Sequence, residues 1–383
     1  MLVIAAPDFT RPSETFIRNH VRTIAPGETA IMCLSENTVP GFSGPMLAGL
    51  RPSWSSPGPL LRRFLIGIYN TLSLRFAAGL FPQQSRRVIS FLNGLPSPVV
   101  LAEYGPTGCY LLDSCLRTDT PLYVHFHGYD ASLLMGRELW LRHYRRLFQL
   151  CDGVIVPSVF LRSKLVAAGC DNTKISVCPC GIDPEFFATG SQRPSGIVAV
   201  GRLVPKKAPL NTIKAFGLIA ERFPQTRLHF IGDGPLLEAC RDGIAALGLQ
   251  RRVLLYGAQD HENVARFMSE AAIFVQHSVT AANGDTEGLP VSMLEAMAAG
   301  LPVVSTRHAG ISEAVVGGVT GLLVEEHDID AMAAAMAELL NDPARAGKMG
   351  KAGRERVLKN FTLEKSAMCL RSAMKLTVDS SLR

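Results

Sequence analysis

Short apolar runs alternate along this chain with longer stretches in which apolar residues recur every three or four positions. The runs Leu2–Ala6, Val99–Ala102, Leu122–Phe126 and Val154–Val156 lie in the first half. Ile197–Val200, Leu228–Ile231, Val253–Tyr256, Ile273–Val275 and Pro302–Ser305 lie in the second. Each is followed by Gly, Pro or polar residues and then by a helical pattern. Unbroken apolar runs of this length suit strands covered on both faces. Their alternation with helices predicts α/β layers with mostly parallel sheets. Residues 36–60, rich in Pro, Gly and Ser, read as a long irregular segment, and 188–196 have the turn-residue density of a linker. At 383 residues the chain is long for one core and comfortable for two domains.

The richest chemistry lies between Asn283 and Ser305. A polar loop, Asn283 to Gly288, gives way to Pro290 and a short apolar helix that Gly300 stops. Glu287 on the loop and Glu295 on the helix stand eight positions apart. Between them lie the backbone N–H groups of Gly288 and Leu289, at the positive end of the helix dipole. Phosphate suits such a helix start, and carboxylates accept hydrogen bonds from sugar hydroxyls. Glu295 also sits inside the apolar run Val291–Ala299, where an unpaired acid is expensive to bury. Both features suit a nucleotide sugar.

Other motifs follow strand-like runs, where open α/β sheets place their ligands. Arg202 and either Lys206 or Lys207 follow Ile197–Val200, and fixed cations there would offset charge developing on a leaving diphosphate. Gly232-Asp233-Gly234-Pro235 forms a tight turn but lacks the third glycine of a dinucleotide fingerprint, which speaks against a nicotinamide oxidoreductase. His125 and His127 flank Phe126, with period two placing both on one face. The D-x-D triplet Asp328-Ile329-Asp330 precedes a plain helix pattern and reads as a cap, so no metal site is expected.

The Glu287–Glu295 spacing resembles the E-x7-E signature of the retaining glycosyltransferase family 4. Gly201-Arg202-Leu203 with Lys207, Gly232-Asp233-Gly234-Pro235-Leu236 and Pro179-Cys180-Gly181-Ile182-Asp183 are similar to further elements of that family. Ser13-Glu14-Thr15-Phe16-Ile17 and His125-Phe126-His127-Gly128-Tyr129-Asp130 resemble its bacterial exopolysaccharide subgroup. The resemblance implies the GT-B fold, two Rossmann-like domains with parallel sheets facing across a cleft. Its domains would be residues 1–187 for the acceptor, 188–358 for the nucleotide sugar, and a C-terminal helix within 359–383 crossing back.

The resemblance also implies roles. Arg202 and Lys207 would hold the diphosphate, with Gly232, Glu287, Gly288, Leu289 and Glu295 completing the donor site. His127 would contact the transferred sugar near its reacting carbon. Asp130 would orient His127, or bind or deprotonate the acceptor hydroxyl. Ser13 and Glu14 stand where many relatives carry a Gly-rich loop, so they would take acceptor or diphosphate contacts. Glu103, where relatives often carry His, would shape the acceptor pocket beside Tyr104 or supply the acceptor base. The expected reaction is retaining, metal-independent hexosyl transfer from a UDP- or GDP-linked sugar to a saccharide or lipid-linked oligosaccharide. The alternatives are a GT-B nucleotide-sugar epimerase and a non-catalytic nucleotide-sugar-binding subunit.

Charge adds a possible surface partner. Residues 1–180 carry 17 Lys+Arg against 11 Asp+Glu, so the whole net charge of +6 lies in the first half. Arg62, Arg63, Arg75, Arg86 and Arg87, and again Arg137, Arg142, Arg145 and Arg146, are interleaved with Leu, Phe, Ile and Trp. That pattern suits attachment to an anionic membrane surface. No apolar run is long enough to span a bilayer, no secretion signal is read at the N-terminus, and no recognition-helix pattern suggests nucleic acid. A cytoplasmic protein, peripheral on the inner face of the membrane, is expected. The nine cysteines show no paired metal spacing, so a reducing compartment is expected, with Cys178 and Cys180 as packing residues.

Overall fold

A computed structural model describes residues 1–11, 14–36, 39, 41–50, 82–187 and 196–376. The chain divides into two compact units. One comprises Met1–Val156, Arg162–Cys178 and Ala367–Arg383; the other comprises Pro157–Leu161 and Pro179–Ser366.

The first unit is built on seven parallel strands: β1 (Leu2–Ala6), β2 (Thr29–Cys33), β3 (Met46–Leu47), β4 (Val99–Glu103), β5 (Leu122–His125), β6 (Gly153–Val156) and β7 (Ile175–Val177). Their order is β3-β2-β1-β4-β5-β6-β7. All five residues of β1 are buried, which is why the strand reads as an unbroken apolar run. Helices α1 (Thr15–Thr23), α2 (Pro82–Asn93), α3 (Gly105–Arg117), α4 (Glu138–Leu150) and α5 (Val159–Ala167) follow strands in the chain. On α1 the buried residues Phe16, Ile17, His20 and Val21 make one stripe, and Phe16, Ile17 and Val21 join the core formed by Leu2, Ile4, Ile31 and Leu101.

The second unit carries six parallel strands: β8 (Gly196–Val200), β9 (Arg227–Ile231), β10 (Val253–Leu255), β11 (Ile273–Gln276), β12 (Val303–Thr306) and β13 (Gly321–Val324), in the order β10-β9-β8-β11-β12-β13. Its helices are α6 (Pro209–Ala220), α7 (Leu237–Ala246), α8 (His261–Glu270), α9 (Val291–Ala298), α10 (Ile311–Ala314), α11 (Ile329–Asn341) and α12 (Pro343–Asn360). The last helix, α13 (Leu363–Ala373), begins in this unit and ends in the first. Apolar clusters cover both sheet faces, one around Phe216, Ile213 and Met332, the other around Phe274, Met293 and Leu294.

Each sheet has one point where the chain leaves its neighbours in opposite directions, between β1 and β4 and between β8 and β11. Ligands of open α/β sheets bind beyond the strand ends at such points. The chain places the candidate chemistry there: Glu14 after β1, Tyr104 after β4, His127 after β5, Arg202 and Lys207 after β8. The reading of Asp328 as a helix cap holds, since its side chain accepts from Ala331 N at 2.8 Å. The reading of Cys178 as mere packing does not: Cys178, at the end of β7, is disulfide-bonded to Cys369 on α13. A partner 191 residues away leaves no spacing signal in the sequence.

Candidate active site

In the second unit two turns are locked together. Leu203 N donates to Asp233 O at 2.9 Å, and Gly232 N to Gly257 O at 2.8 Å. Gly232 has φ +141°, and a Cβ there would lie 2.0 Å from Gly201 O. Only glycine lets the backbones meet so closely, so Gly232 seats the turn that carries Arg202. The Arg202 side chain is exposed and has no ion pair or hydrogen bond among the described residues.

The adjacent lysines have separate roles. Lys206 is buried and its Nζ donates to Asp285 Oδ1 and Thr286 O, both at 3.0 Å, holding the loop before α9. Lys207 Nζ lies 3.0 Å from Gln276 Oε1 and 3.1 Å from Glu287 Oε1. Burial lowers the Lys207 pKa, with Glu287 pulling it back up. Burial likewise opposes charge on Glu287, but Lys207 and Lys206 outweigh it and hold that carboxyl below its ordinary range. The result is a buried ion pair, Lys207–Glu287, at the foot of the loop.

That loop is braced from behind. Glu287 N donates to His308 Nε2 at 3.2 Å, so the proton of His308 sits on Nδ1 and goes to Glu326 Oε1 at 2.6 Å. Glu326 Oε2 in turn accepts from Thr280 N at 2.8 Å. Gly310 N donates to Gly288 O at 3.1 Å. The N–H groups of Gly288 and Leu289 donate to nothing among the described residues. Glu295 on α9 is buried, with Oε1 3.1 Å from His261 Nε2. The His261 ring stacks on Phe186 with centroids 4.4 Å apart.

In the first unit β4, β5 and α1 bring four polar side chains together. Glu103 is fully enclosed, and its Oε1 lies 2.6 Å from His20 Nδ1 and its Oε2 3.0 Å from His127 Nε2. His125 Nδ1 lies 3.3 Å from Glu103 Oε2, and the rings of His125 and His127 are 4.3 Å apart, on one face as the two-residue period required. Burial opposes charge on Glu103, but the nearby His20 and His125 rings, with the hydrogen bond from His127, hold its pKa well below the usual carboxylate range. Burial and the neighbouring His125 lower the His127 pKa to about 4 against the pull of Glu103, so its ring is neutral. The cluster does not suit a cation. Two ligands of one tetrahedral ion at about 2.1 Å lie roughly 3.4 Å apart, and the 2.6 Å contact of His20 with Glu103 is a hydrogen bond.

Two expectations change here. Glu103 does not face an acceptor: both its oxygens are spent on imidazoles within the core. Asp130 does not touch the His127 ring either. Its Oδ1 accepts from His127 N at 2.7 Å and its Oδ2 from Gly105 N at 2.6 Å, so it fixes the main chain that carries His127. Burial pushes the Asp130 pKa up to about 7, with those N–H donors pulling against it. Tyr104 sits at φ +73°, unusual for a non-glycine residue, with its ring 4.8 Å from that of His127. Glu14 lies beside the Tyr104 hydroxyl, which burial and that carboxylate keep protonated, and pairs with Arg11 at 3.2 Å. Ser13 lies outside the described residues. His20, His261, His308 and Glu326 were missed. His20 left a signal, a polar residue on the apolar stripe of α1, and His308 lies two residues past the end of β12.

Comparison with known proteins gives the family and the fold. Residues 183–356 match the family described as glycosyl transferases group 1, and residues 49–186 match glycosyltransferase family 4. The chain is 36% identical over 240 residues to an amylovoran biosynthesis glycosyltransferase, AmsK, of Erwinia amylovora, covering 62% of this chain and 59% of that one. It is 33% identical over 272 residues to a putative colanic acid biosynthesis glycosyltransferase, WcaL, of Escherichia coli, covering 69% of this chain and 66% of that one. These matches thus span about three fifths to two thirds of the relatives' length. Among solved structures, Anabaena Alr3699/HepE in complex with UDP and glucose superposes with a TM-score of 0.79 at 16% identity, over 98% of this chain and 99% of that one. Sucrose-phosphate synthase from Thermosynechococcus elongatus gives 0.74 at 20% identity, over 98% of each chain. With its two parallel sheets and both halves matched, the chain belongs to glycosyltransferase family 4 and has the GT-B fold.

Proposed function

We propose that the protein transfers a hexose, with retention, from a UDP- or GDP-linked sugar to a saccharide or lipid-linked saccharide in the assembly of a cell-surface polysaccharide. The observation that carries this is the anion site of the second unit: exposed Arg202, partly buried Lys207 paired to Glu287, and the unengaged N–H groups of Gly288 and Leu289. A diphosphate fits those donors, and Glu295 takes ribose hydroxyls, with Glu287 near the hexose. Gly232 contributes by seating Arg202. His127 serves the transferred sugar. Tyr104, Glu14 and Ser13 serve the acceptor.

In the step itself the bond from C1 of the hexose to the β-phosphate oxygen breaks, and a bond from C1 to the acceptor oxygen forms on the same face. The acceptor proton passes to the departing phosphate. Arg202, Lys207 and the loop N–H groups gain more from the fully charged leaving group than from the donor, which is the condition for catalysis. These groups supply the cationic charge without a metal ion. The relatives support the acceptor class. They are described as amylovoran and colanic acid enzymes, and one of Mycolicibacterium smegmatis, 33% identical over 252 residues, as a GDP-mannose-dependent phosphatidylinositol monomannoside mannosyltransferase. A lipid-linked acceptor places the protein on the cytoplasmic membrane face.

The test is a thermal-shift screen of UDP-, GDP- and dTDP-sugars, then turnover of the stabilising donor with and without saccharide acceptor and EDTA. A bound donor raises Tm by mass action. Transfer that depends on acceptor and survives EDTA supports the reading. Epimerised donor without transfer, or binding without turnover, replaces it with an isomerase or a binding subunit.

A further inference from the structure

His127 reaches the core through one ring nitrogen only. Its Nε2 lies 3.0 Å from Glu103 Oε2, while its Nδ1 has no hydrogen-bond partner among the described residues and is not sealed in the core. Glu103 is held from the far side by His20 Nδ1 at 2.6 Å. An ionised carboxylate only accepts hydrogen bonds, so the two imidazole nitrogens hydrogen-bonded to it, His20 Nδ1 and His127 Nε2, must carry protons. A neutral imidazole has one proton, so on His127 the proton is on Nε2 and Nδ1 is a bare lone pair. The ring cannot swing to exchange the two, because Phe16, Tyr104 and His125 pack around it with centroids 4.5, 4.8 and 4.3 Å away.

We propose that Glu103 and His20 are positioning residues for the transfer reaction: they fix His127 as its Nε2–H tautomer, so that Nδ1 accepts a hydrogen bond from a hydroxyl of the transferred sugar. This rests on the assignment of His127 to that sugar. Its chemical content is new. The ring recognises a hydroxyl by accepting from it and does not donate to a sugar oxygen. His20, on α1, acts only through Glu103, which it keeps from rotating away. An Asn, which offers both a donor and an acceptor, would not impose that choice.

The tautomer is measured directly by ¹⁵N–¹H correlation spectra of the full chain labelled at histidine, with the His127→Asn variant identifying the signal. The expected pattern is a protonated Nε2 and an unprotonated Nδ1. A protonated Nδ1 in the wild-type protein overturns the proposal without any activity measurement. Glu103→Gln offers an amide in place of the carboxylate and releases the tautomer. It should lower kcat about 10- to 100-fold with donor KM little changed, while a merely structural Glu103 would lower Tm and leave kcat per folded molecule alone. His20→Gln, whose amide still donates to Glu103, should restore most of the activity that His20→Ala loses. Full activity in Glu103→Gln with the wild-type tautomer removes the positioning role and leaves His127 its function. Full activity in His127→Ala removes both. If Glu103→Gln fails to fold, the wild-type spectrum and the two His20 variants decide.

Discussion

Lys206 and Lys207 show how far one residue's place in the chain decides its work. Lys206 ties its amine to Asp285 and Thr286, whereas Lys207 points at Glu287. Lys206→Met should therefore cost roughly 2–3 kcal/mol of stability, the scale of a charge-assisted hydrogen bond lost from the interior. Denaturant unfolding would show it. Arg202→Ala removes an exposed cation with no partner among the described residues, so stability should hold while donor kcat/KM drops about 10- to 100-fold. Wild-type kinetics in that variant would remove Arg202 from the diphosphate. Apart from the family resemblance, which selects Lys207, the sequence left the two lysines interchangeable, because both lie on one tight turn.

The loop from Asp285 to Leu289 owes its shape to neighbours that are remote in sequence. Gly310 has an ordinary helical backbone, φ −69°, so alanine is conformationally allowed there. Yet a Cβ at Gly310 would lie 2.1 Å from Gly288 O. Gly310→Ala should push the loop off its seat and lower donor turnover at least about tenfold, since small misplacements of a binding group weigh heavily on rate. A donor titration by calorimetry checks this, and unchanged affinity would show that the loop position does not matter. The long buried strands other than Thr29–Cys33 were legible as apolar runs, with ends within a residue or two. The unread ones have separate reasons. Met46–Leu47 and Ile175–Val177 are too short to show a period and exist through pairing with β2 and β6. Gly321–Val324 is mostly half-exposed, and Thr29–Cys33 has Ala and Cys where strand formers are usual. The motif residues themselves were legible because the chemistry needs those types at fixed spacing. Their braces, His308, Glu326 and His20, were not, since each is a lone polar residue until folding supplies its partner.

Over the whole molecule, buried imidazoles dominate the response to acid. His127 and His277 have pKa values lowered to about 4, and His125 is lowered too, chiefly by burial. The unfolded chain takes up those protons near the ordinary 6.5, so stability should fall as pH drops from 6.5 toward 4. Asp130, raised to about 7, works the other way, because the folded state binds its proton first. The three imidazoles outnumber it. Below the ordinary carboxyl value of 4.5 the loss should steepen as Glu103 and Glu287 are neutralised. Unfolding midpoints across this range should decline, and His277→Gln should flatten the decline. The second property of this scale is surface charge. Arg62, Arg63 and Arg75 lie outside the described residues. Arg142 pairs with Glu138 and Arg146 with Asp113, while Arg145 on α4 and Arg137 just before it are exposed, as are Leu139 and Leu150. Flotation with vesicles containing phosphatidylglycerol should show salt-sensitive binding, since each basic residue near such a surface adds about 1 kcal/mol. Binding unchanged in Arg137→Ser with Arg145→Ser would make this face an ordinary solvated one. Among the described residues no helix is long and apolar enough to cross a membrane.

The bond between Cys178 and Cys369 gives the molecule a covalent topology that differs from its linear one. It ties the chain into a ring just outside Pro179–Ser366, which makes up nearly all of the second unit. A single protease cut anywhere in that ring opens it without dividing the polypeptide. Nicked protein should run as one species on a denaturing gel without thiol and as two once dithiothreitol is added. Closing so long a loop also restricts the unfolded chain, by about 5 kcal/mol on the loop-entropy estimate, so reduction should lower Tm. Fragments that separate without reductant would show that the ring is open in solution.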